Sequence, residues 1–406
     1  MIPFPQRVQF FKVVQFFLKV TGKLIRLRTP QLFEGPGSAI QLCDHIGASG
    51  VKKLLIVTDA MLVKIGLLEP MQKHLASLGI SYIVYDGVEP NPTIEQIEEG
   101  FATLKRAQCT AILAVGGGSS MDAAKVIAAR ATNPYRVSRM AGLMRLIRKP
   151  APLYALPTTA GTGSEVTFAA VVSDPASTRK FAIMDPKLVP LAAALDAEVM
   201  VGLPPAITAA TGMDALTHAV EAYISRNHTP DTDAQALQAT RLIMQNLEAV
   251  YEDGGNLQAR QAMALASFKA GVAFTTAGVG YVHAIAHNFG AYYHLPHGLA
   301  NAIILPRVLE FSKPECVERL ARLAEVSGLR SGSQSDEALA DAFIEKIRTL
   351  NRRFEIPTQV DKLRVQDIPQ ISQKALSEAH WFYAVPRYMD QAQCESFVRQ
   401  MLPQAA

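Results

Sequence analysis

The chain has 406 residues, 49% of them hydrophobic and 19% charged, a balance that suits a globular protein and excludes a disordered or fibrous one. Its length suggests two domains, each able to bury a sizeable core, and a net charge of +4 implies no nucleic-acid partner. Four cysteines, Cys43, Cys109, Cys316 and Cys394, have no C-x-x-C spacing, so neither a zinc ribbon nor a disulfide framework is expected and a reducing cytoplasm is the expected setting.

No stretch reaches the roughly 18 uncharged apolar residues of a membrane span. From Met1 to Phe33 there is no acid, while Arg7, Lys12, Lys19, Lys23, Arg26 and Arg28 punctuate an apolar sequence. Phe10, Val13, Val14, Phe17 and Leu24 fall on one helical face with the basic residues largely elsewhere, so residues 1–30 read as a basic amphipathic extension. Three roles fit it: an arm packed on the body or on a neighbouring subunit, a peripheral membrane contact through residues 7–28, or a cleaved organellar presequence.

Beyond it, short apolar runs alternate with helical stretches. Leu54–Val57, Tyr82–Tyr85, Ala111–Val115 and Leu153–Leu156 read as strands, and Pro70–Leu78 and Ile94–Ala107 as helices between them. This alternation predicts an α/β domain over 31–203 with a parallel sheet covered on both faces. After Leu203-Pro204-Pro205 the pattern changes: Asp231–Val250, Gln258–Ala273, Val317–Val326 and Asp336–Leu350 carry helical periodicity without clear strands between them, which predicts an all-α domain over 204–406.

The run Ala111–Val115 leads directly into Gly116-Gly117-Gly118-Ser119-Ser120 and then a helix from Met121. Strand, glycines and helix start make a pyrophosphate cradle, since glycine admits close backbone approach and the helix N-terminus offers free N–H groups. The usual G-x-G-x-x-G fingerprint would place glycine where Met121 stands, and a plain strand-to-helix turn is the competing explanation. Pro157-Thr-Thr-Ala-Gly-Thr-Gly-Ser-Glu-Val-Thr167 adds hydroxyls suited to phosphate or ribose, or to an ordinary surface turn. Asp59, after an early strand, is placed to accept ribose hydroxyls and so to favour NAD over NADP.

Asp214 and His218, four apart, share one side of a helix, as do His283 and His287. His294 would extend the second stripe, while Pro296 breaks the helix before His297, so spacing leaves His294 and His297 as alternatives. Six of the nine histidines lie between His218 and His297, and a hard carboxylate oxygen with borderline imidazoles suits Fe, Zn or another first-row ion. Phe168, Phe274, Phe289 and Tyr293 are either lining for an apolar pocket or ordinary core.

The segments Gly116–Lys125, Pro157–Glu165, Gly212–Tyr223 and Gly278–Pro306, in this order and separation, resemble the iron-containing (group III) alcohol dehydrogenase family, over roughly Leu32 to Gly328. The first 30 residues lie outside the family pattern, Val385-Pro386-Arg387 stands where many members have Asn-Pro-Arg, and Ser120 replaces a common proline. The resemblance implies a Rossmann-like N-terminal domain, a helical C-terminal domain and a site in the cleft between them. By analogy the metal ligands are Asp214, His218, His283 and His297, with Fe2+ or Zn2+ bound, and His287 handles protons near substrate and nicotinamide. Asp59, Asn91, Gly117, Gly118, Ser119, Asp122, Thr158, Thr159, Thr162 and Lys180 fall where members contact NAD. The expected substrate is a small alcohol or aldehyde and the expected assembly a homo-oligomer. Alternatives are a metal- and NAD-dependent lyase or cyclase resembling dehydroquinate synthase, a zinc polyol dehydrogenase, and a membrane-recruited binding protein. The first would need several basic side chains for a phosphorylated substrate, for which the metal segments offer mainly Lys269.

Overall fold

Uncharged runs such as Leu54-Leu-Ile-Val57 and Ala111-Ile-Leu-Ala-Val115 have nothing to offer water, and they are fully buried strands in the computed structural model, which describes residues 3–22, 27–175 and 179–403. The strands are β1 Gln31–Glu34, β2 Lys53–Val57, β3 Ser81–Tyr85, β4 Ala111–Gly116, β5 Gly142–Leu143, β6 Leu153–Pro157, β7 Ala169–Asp174, β8 Arg179–Met184 and β9 Ala192–Leu195. Six form a parallel sheet in the order β1-β9-β6-β4-β2-β3, and a smaller sheet has the order β5-β8-β7 with β7 and β8 antiparallel. Pleating sends alternate residues to opposite cores. Leu55, Val57, Ile112 and Ala114 enter one cluster, and Leu54, Ile56, Leu113 and Val115 the other.

The helices are α1 Phe4–Gly22, α2 Ser38–Ala48, α3 Ala60–Lys64, α4 Glu69–Ser77, α5 Ile94–Ala107, α6 Gly118–Thr132, α7 Pro205–Ile224, α8 Pro230–Glu252, α9 Leu257–Ala277, α10 Tyr281–Tyr293, α11 His297–Ser312, α12 Val317–Val326, α13 Asp336–Arg353, α14 Ile368–Phe382 and α15 Gln391–Arg399. Local chemistry sets their ends: Thr93 and Gln96 form a reciprocal capping box that starts α5, and Gln108 closes it in the left-handed region at φ 54°. Among the described residues no single helix is long and apolar enough to cross a membrane.

Two compact units result. One is Arg26–Leu203 with Gly254–Gly271; the other is Met1–Ile25, Pro204–Asp253 and Val272–Ala406. The sheet unit therefore takes in the start of α9, beyond the 31–203 expected from sequence. Gln261 explains the difference, because its amide donates to the Leu195 carbonyl (2.9 Å) and accepts from the Ala197 N–H (3.1 Å). Close backbone approach completes the seam: a Cβ on Gly163 would lie 2.8 Å from the Cα of Gly271. The four cysteines are buried and unpaired, and burial pushes the thiols of Cys43, Cys316 and Cys394 up to about 12.

In the helical unit α1 packs against α14, but not through the face read from its sequence. Phe11 and Gln15 point inward, whereas Phe10 and Val13 are each 52% exposed. The side chains of Phe17 and Lys19, and residues Lys23, Leu24 and Arg26, lie outside the described residues. Beneath α1, His380 Nε2 accepts the hydroxyl of Tyr281 (2.9 Å), which in turn accepts the Met389 N–H (2.8 Å). Burial, with help from Arg7, lowers the His380 pKa to about 4. A base depressed on folding takes up its proton in the unfolded chain first, so stability is lost as pH falls from about 6.5 to about 4, by up to about 3 kcal/mol from this group. Urea midpoints measured across that range should show this loss in the natural protein and a flatter profile in His380→Gln, which cannot charge.

Candidate functional site

Helix α7 carries Asp214 and His218 one turn apart on its buried face, α10 carries His283, and His297 is the first residue of α11. One ligand atom from each lies within 4.8 Å of all the others. His294, the alternative that spacing left open, is exposed and caps α10 at φ 55°, so the chain turns there and His297 reaches the cluster instead. Gly298 makes this approach possible, since a Cβ there would strike the Ala210 carbonyl and lie 3.3 Å from the Cβ of Asp214.

Oδ1 of Asp214 lies 4.0 Å from His283 Nε2 and 3.6 Å from His297 Nε2, close to the ~3.4 Å between tetrahedral ligands on a first-row ion. Between them stands the amide of Asn301, its Nδ2 2.7 Å from Asp214 Oδ1 and 3.2 Å from each of those imidazole nitrogens. Two amide hydrogens cannot serve three acceptors. Lone pairs that converge in this way are what a divalent cation satisfies, and one carboxylate with three imidazoles suits Fe2+ or Zn2+.

Glu221, one turn beyond His218, orients the cluster from behind. Its carboxylate accepts the Val282 N–H (2.8 Å) and lies 2.6 Å from His283 Nδ1, which leaves His283 Nε2 to face the other ligands. Burial raises Glu221 to about 7, opposed by N–H groups at the start of α10, and burial with the neighbouring imidazoles holds His283 well below the usual histidine range. Phe274 closes another side, stacked on His218 with ring centroids 4.2 Å apart, while Phe289 and Tyr293 are core residues and Phe168 is half-buried.

His287 stands just outside the four, its ring stacked 5.4 Å from that of His297. Its Nδ1 lies 2.8 Å from Glu378 Oε1, and the Tyr383 hydroxyl donates to the same oxygen (2.6 Å). Burial works to raise Glu378, but the His287 imidazole and these two hydrogen bonds bring it below the ordinary carboxylate range. Glu221, Asn301, Glu378 and Tyr383 were not among the residues singled out in the sequence. Two had a signal: Glu221 continues the stripe of Asp214 and His218 at i+7, and Asn301 follows His297 at i+4.

In the sheet unit β4 ends at Gly116, whose φ of 148° and contact with Ser120 leave no room for a side chain. No side chain caps the start of α6 at Gly117. The hydroxyl-rich segment packs directly on this turn: a Cβ on Gly118 would lie 2.7 Å from Thr162, one on Gly117 would lie 3.4 Å from Thr159, and Thr158 donates its N–H to the Gly116 carbonyl. Asn91, at φ 62°, donates its N–H to Ser119 Oγ (3.2 Å) and accepts Lys180 Nζ at 2.7 Å, so three of the expected contact residues form one group. Asp59 spends Oδ1 on capping α3 and keeps Oδ2 beside Gly116. Asp122 is turned to structural use, with its carboxylate accepting Ser164 Oγ and the Val171 N–H, both at 2.9 Å.

Comparison with known proteins gives this arrangement its relatives. Residues 29–197 match the iron-containing alcohol dehydrogenase family model, and residues 208–402 match the C-terminal model of the same family. Alcohol dehydrogenase 4 of Saccharomyces cerevisiae is 40% identical over 89% of this chain and 93% of its own length. An NAD-dependent methanol dehydrogenase of Bacillus methanolicus is 38% identical over 85% of this chain and 91% of its own. The crystal structure of a 1,3-propanediol oxidoreductase superposes with a TM-score of 0.90 at 39% identity, covering 93% of this chain and 99% of that one. With both halves matched and identity at this level along most of its length, the chain belongs to the iron-containing alcohol dehydrogenase family, oxidoreductases that act on alcohols.

Proposed function

We propose that the protein interconverts small primary or secondary alcohols and the corresponding aldehydes or ketones, with NAD(H) as redox partner and Fe2+, or alternatively Zn2+, held by Asp214, His218, His283 and His297. The convergence of these four ligands in one cluster carries the reading. The family's name favours iron, and the methanol-oxidising relative is NAD-dependent by name. When bound, the ion supplies Lewis-acid polarisation of the substrate oxygen and the nicotinamide supplies the two-electron acceptor.

The chain's own residues do the rest. Glu221 fixes the His283 ring so that Nε2 faces inward. Glu378 holds the His287 ring through Nδ1, and His287 takes the hydroxyl proton during oxidation and returns it during reduction. Tyr383, on the same carboxylate oxygen, steadies Glu378 as an anion. The uncapped start of α6 and the glycine turn before it suit a pyrophosphate, and Asp59 Oδ2 suits ribose hydroxyls while repelling a 2′-phosphate. Four unpaired cysteines support a cytoplasmic setting.

Anaerobically purified protein, analysed for metal and assayed against an alcohol panel, should form NADH in preference to NADPH. Chelation should abolish turnover, and Fe2+ should restore it better than Zn2+. Full turnover by metal-free protein, or no oxidation of any alcohol by metal-loaded protein, sinks this reading.

A further inference from the structure

Helix α1 is apolar on two sides, and the protein body covers one of them. On the covered side Phe11 lies 5.0 Å from the His380 ring and stacks near-parallel on Tyr388, and Gln15 Nε2 donates to the Trp381 carbonyl (2.9 Å). The other side carries Phe10, Val13 and Phe16, the last 63% exposed. Phe10 meets the indole of Trp381 edge-on at 5.9 Å, and Trp381 and Phe382, which end α14, are 45% and 63% exposed. A helix whose task was only to dock on α14 would need the first side alone. An apolar surface built from two neighbouring helices marks a place of interaction.

Charge indicates with what. Up to Glu34 the chain has six basic residues and no acid. Arg28 is tied to the Val189 carbonyl, Arg7 is exposed beside Phe4, and Lys12 lies half-buried on α1, with Lys19, Lys23 and Arg26 following in sequence. On α1 itself aromatic and aliphatic side chains are accompanied by lysine and arginine without a carboxylate, and Asp390 is the acid beside Arg7 and Trp381; such a composition enters an anionic bilayer interface, rings at headgroup depth and cations toward lipid phosphates. Pairing with a second copy of the same face would instead bring like charges together. The geometry points to a peripheral docking surface for an anionic lipid bilayer, formed by α1 and the end of α14, with Phe10, Val13, Phe16, Trp381 and Phe382 entering the interface.

Trp381 is the only tryptophan of the chain, so the metal-loaded, full-length protein carries its own probe. Vesicles of phosphatidylcholine and phosphatidylserine should shift its emission to the blue, and brominated acyl chains should quench it. Co-sedimentation should fall by about tenfold or more with pure phosphatidylcholine or at high salt. The double variant Phe10→Ser/Phe16→Ser should lose vesicle binding while keeping its alcohol turnover, which shows that it has folded. Unmoved emission, equal binding to neutral vesicles, or binding retained by the double variant overturns the proposal. So does a lipid-free oligomer that the variant converts to monomer, which would assign the face to a second copy of the chain.

Discussion

Replacing His283 with alanine should remove the bound metal and turnover together, with a loss of activity on the order of 10³-fold or more, the scale of several kcal/mol of Lewis-acid stabilisation. His283 is central to the cluster: its Nε2 faces Asp214 and Asn301, its Nδ1 faces Glu221, and its ring stacks on that of His218. Alanine leaves three ligands and strands the buried Glu221 carboxyl. Glu221→Gln makes the instructive contrast. The ligand set survives, but His283 Nδ1 loses the carboxylate that holds its ring, so metal affinity should fall about 10- to 100-fold while the protein stays folded. Metal analysis after dialysis against graded chelator, run beside NADH formation, separates the two. Full activity in metal-depleted His283→Ala would end this account, and unchanged metal affinity in Glu221→Gln would reduce Glu221 to a packing residue.

Lys125→Ala should destabilise the fold by about 3–5 kcal/mol, the cost of removing one partner from a buried set of charges. The Lys125 side chain is fully buried, and its ammonium donates to Ser164 Oγ (2.9 Å), Thr167 Oγ1 (2.9 Å) and the Ala169 carbonyl (2.8 Å). Asp122 and Glu165 are its acidic neighbours; burial lowers Lys125 to about 8 and raises Glu165 to about 7. The lysine thereby fastens the hydroxyl-rich segment beneath the glycine turn. Urea unfolding should show the loss, and dinucleotide affinity should fall with it. Metal content should be unaffected in protein that remains folded, because all four ligands belong to the other compact unit. A stability change below 1 kcal/mol would show that the cradle does not depend on this residue.

The sheet was legible where burial on both faces left uninterrupted apolar runs, as in β2, β4 and β6, and also at the edge strand β3, where Tyr82–Tyr85 stays apolar although Ile83 is 38% exposed. It was silent where the runs are short or unusual. Ala192-Ala-Ala-Leu195 has no β-branched residue and is a strand only because β1 and β6 hydrogen-bond to it on either side. The four candidate ligands were readable as residue types, but only the turn at His294 shows why His297 joins them. Glu378 had no sequence signal, being 91 residues from the His287 that it holds. Residues of α1 misled for a different reason: a helix apolar on two sides gives a periodicity that fits either face, and only α14 decides which is covered.

The buried, unpaired cysteines carry a consequence for damage. Thiolate is the reactive form, and thiols this deep and this weakly acidic offer almost none to a peroxide or an electrophile in solution. Oxidants reaching the native surface meet thioethers first, at Met61 and Met144, which are 61% and 52% exposed. Sulfoxide there is reversible, and Met61 and Met144 lie outside the two hydrophobic clusters that flank the parallel sheet, so the fold directs early oxidative lesions to positions where they cost it little.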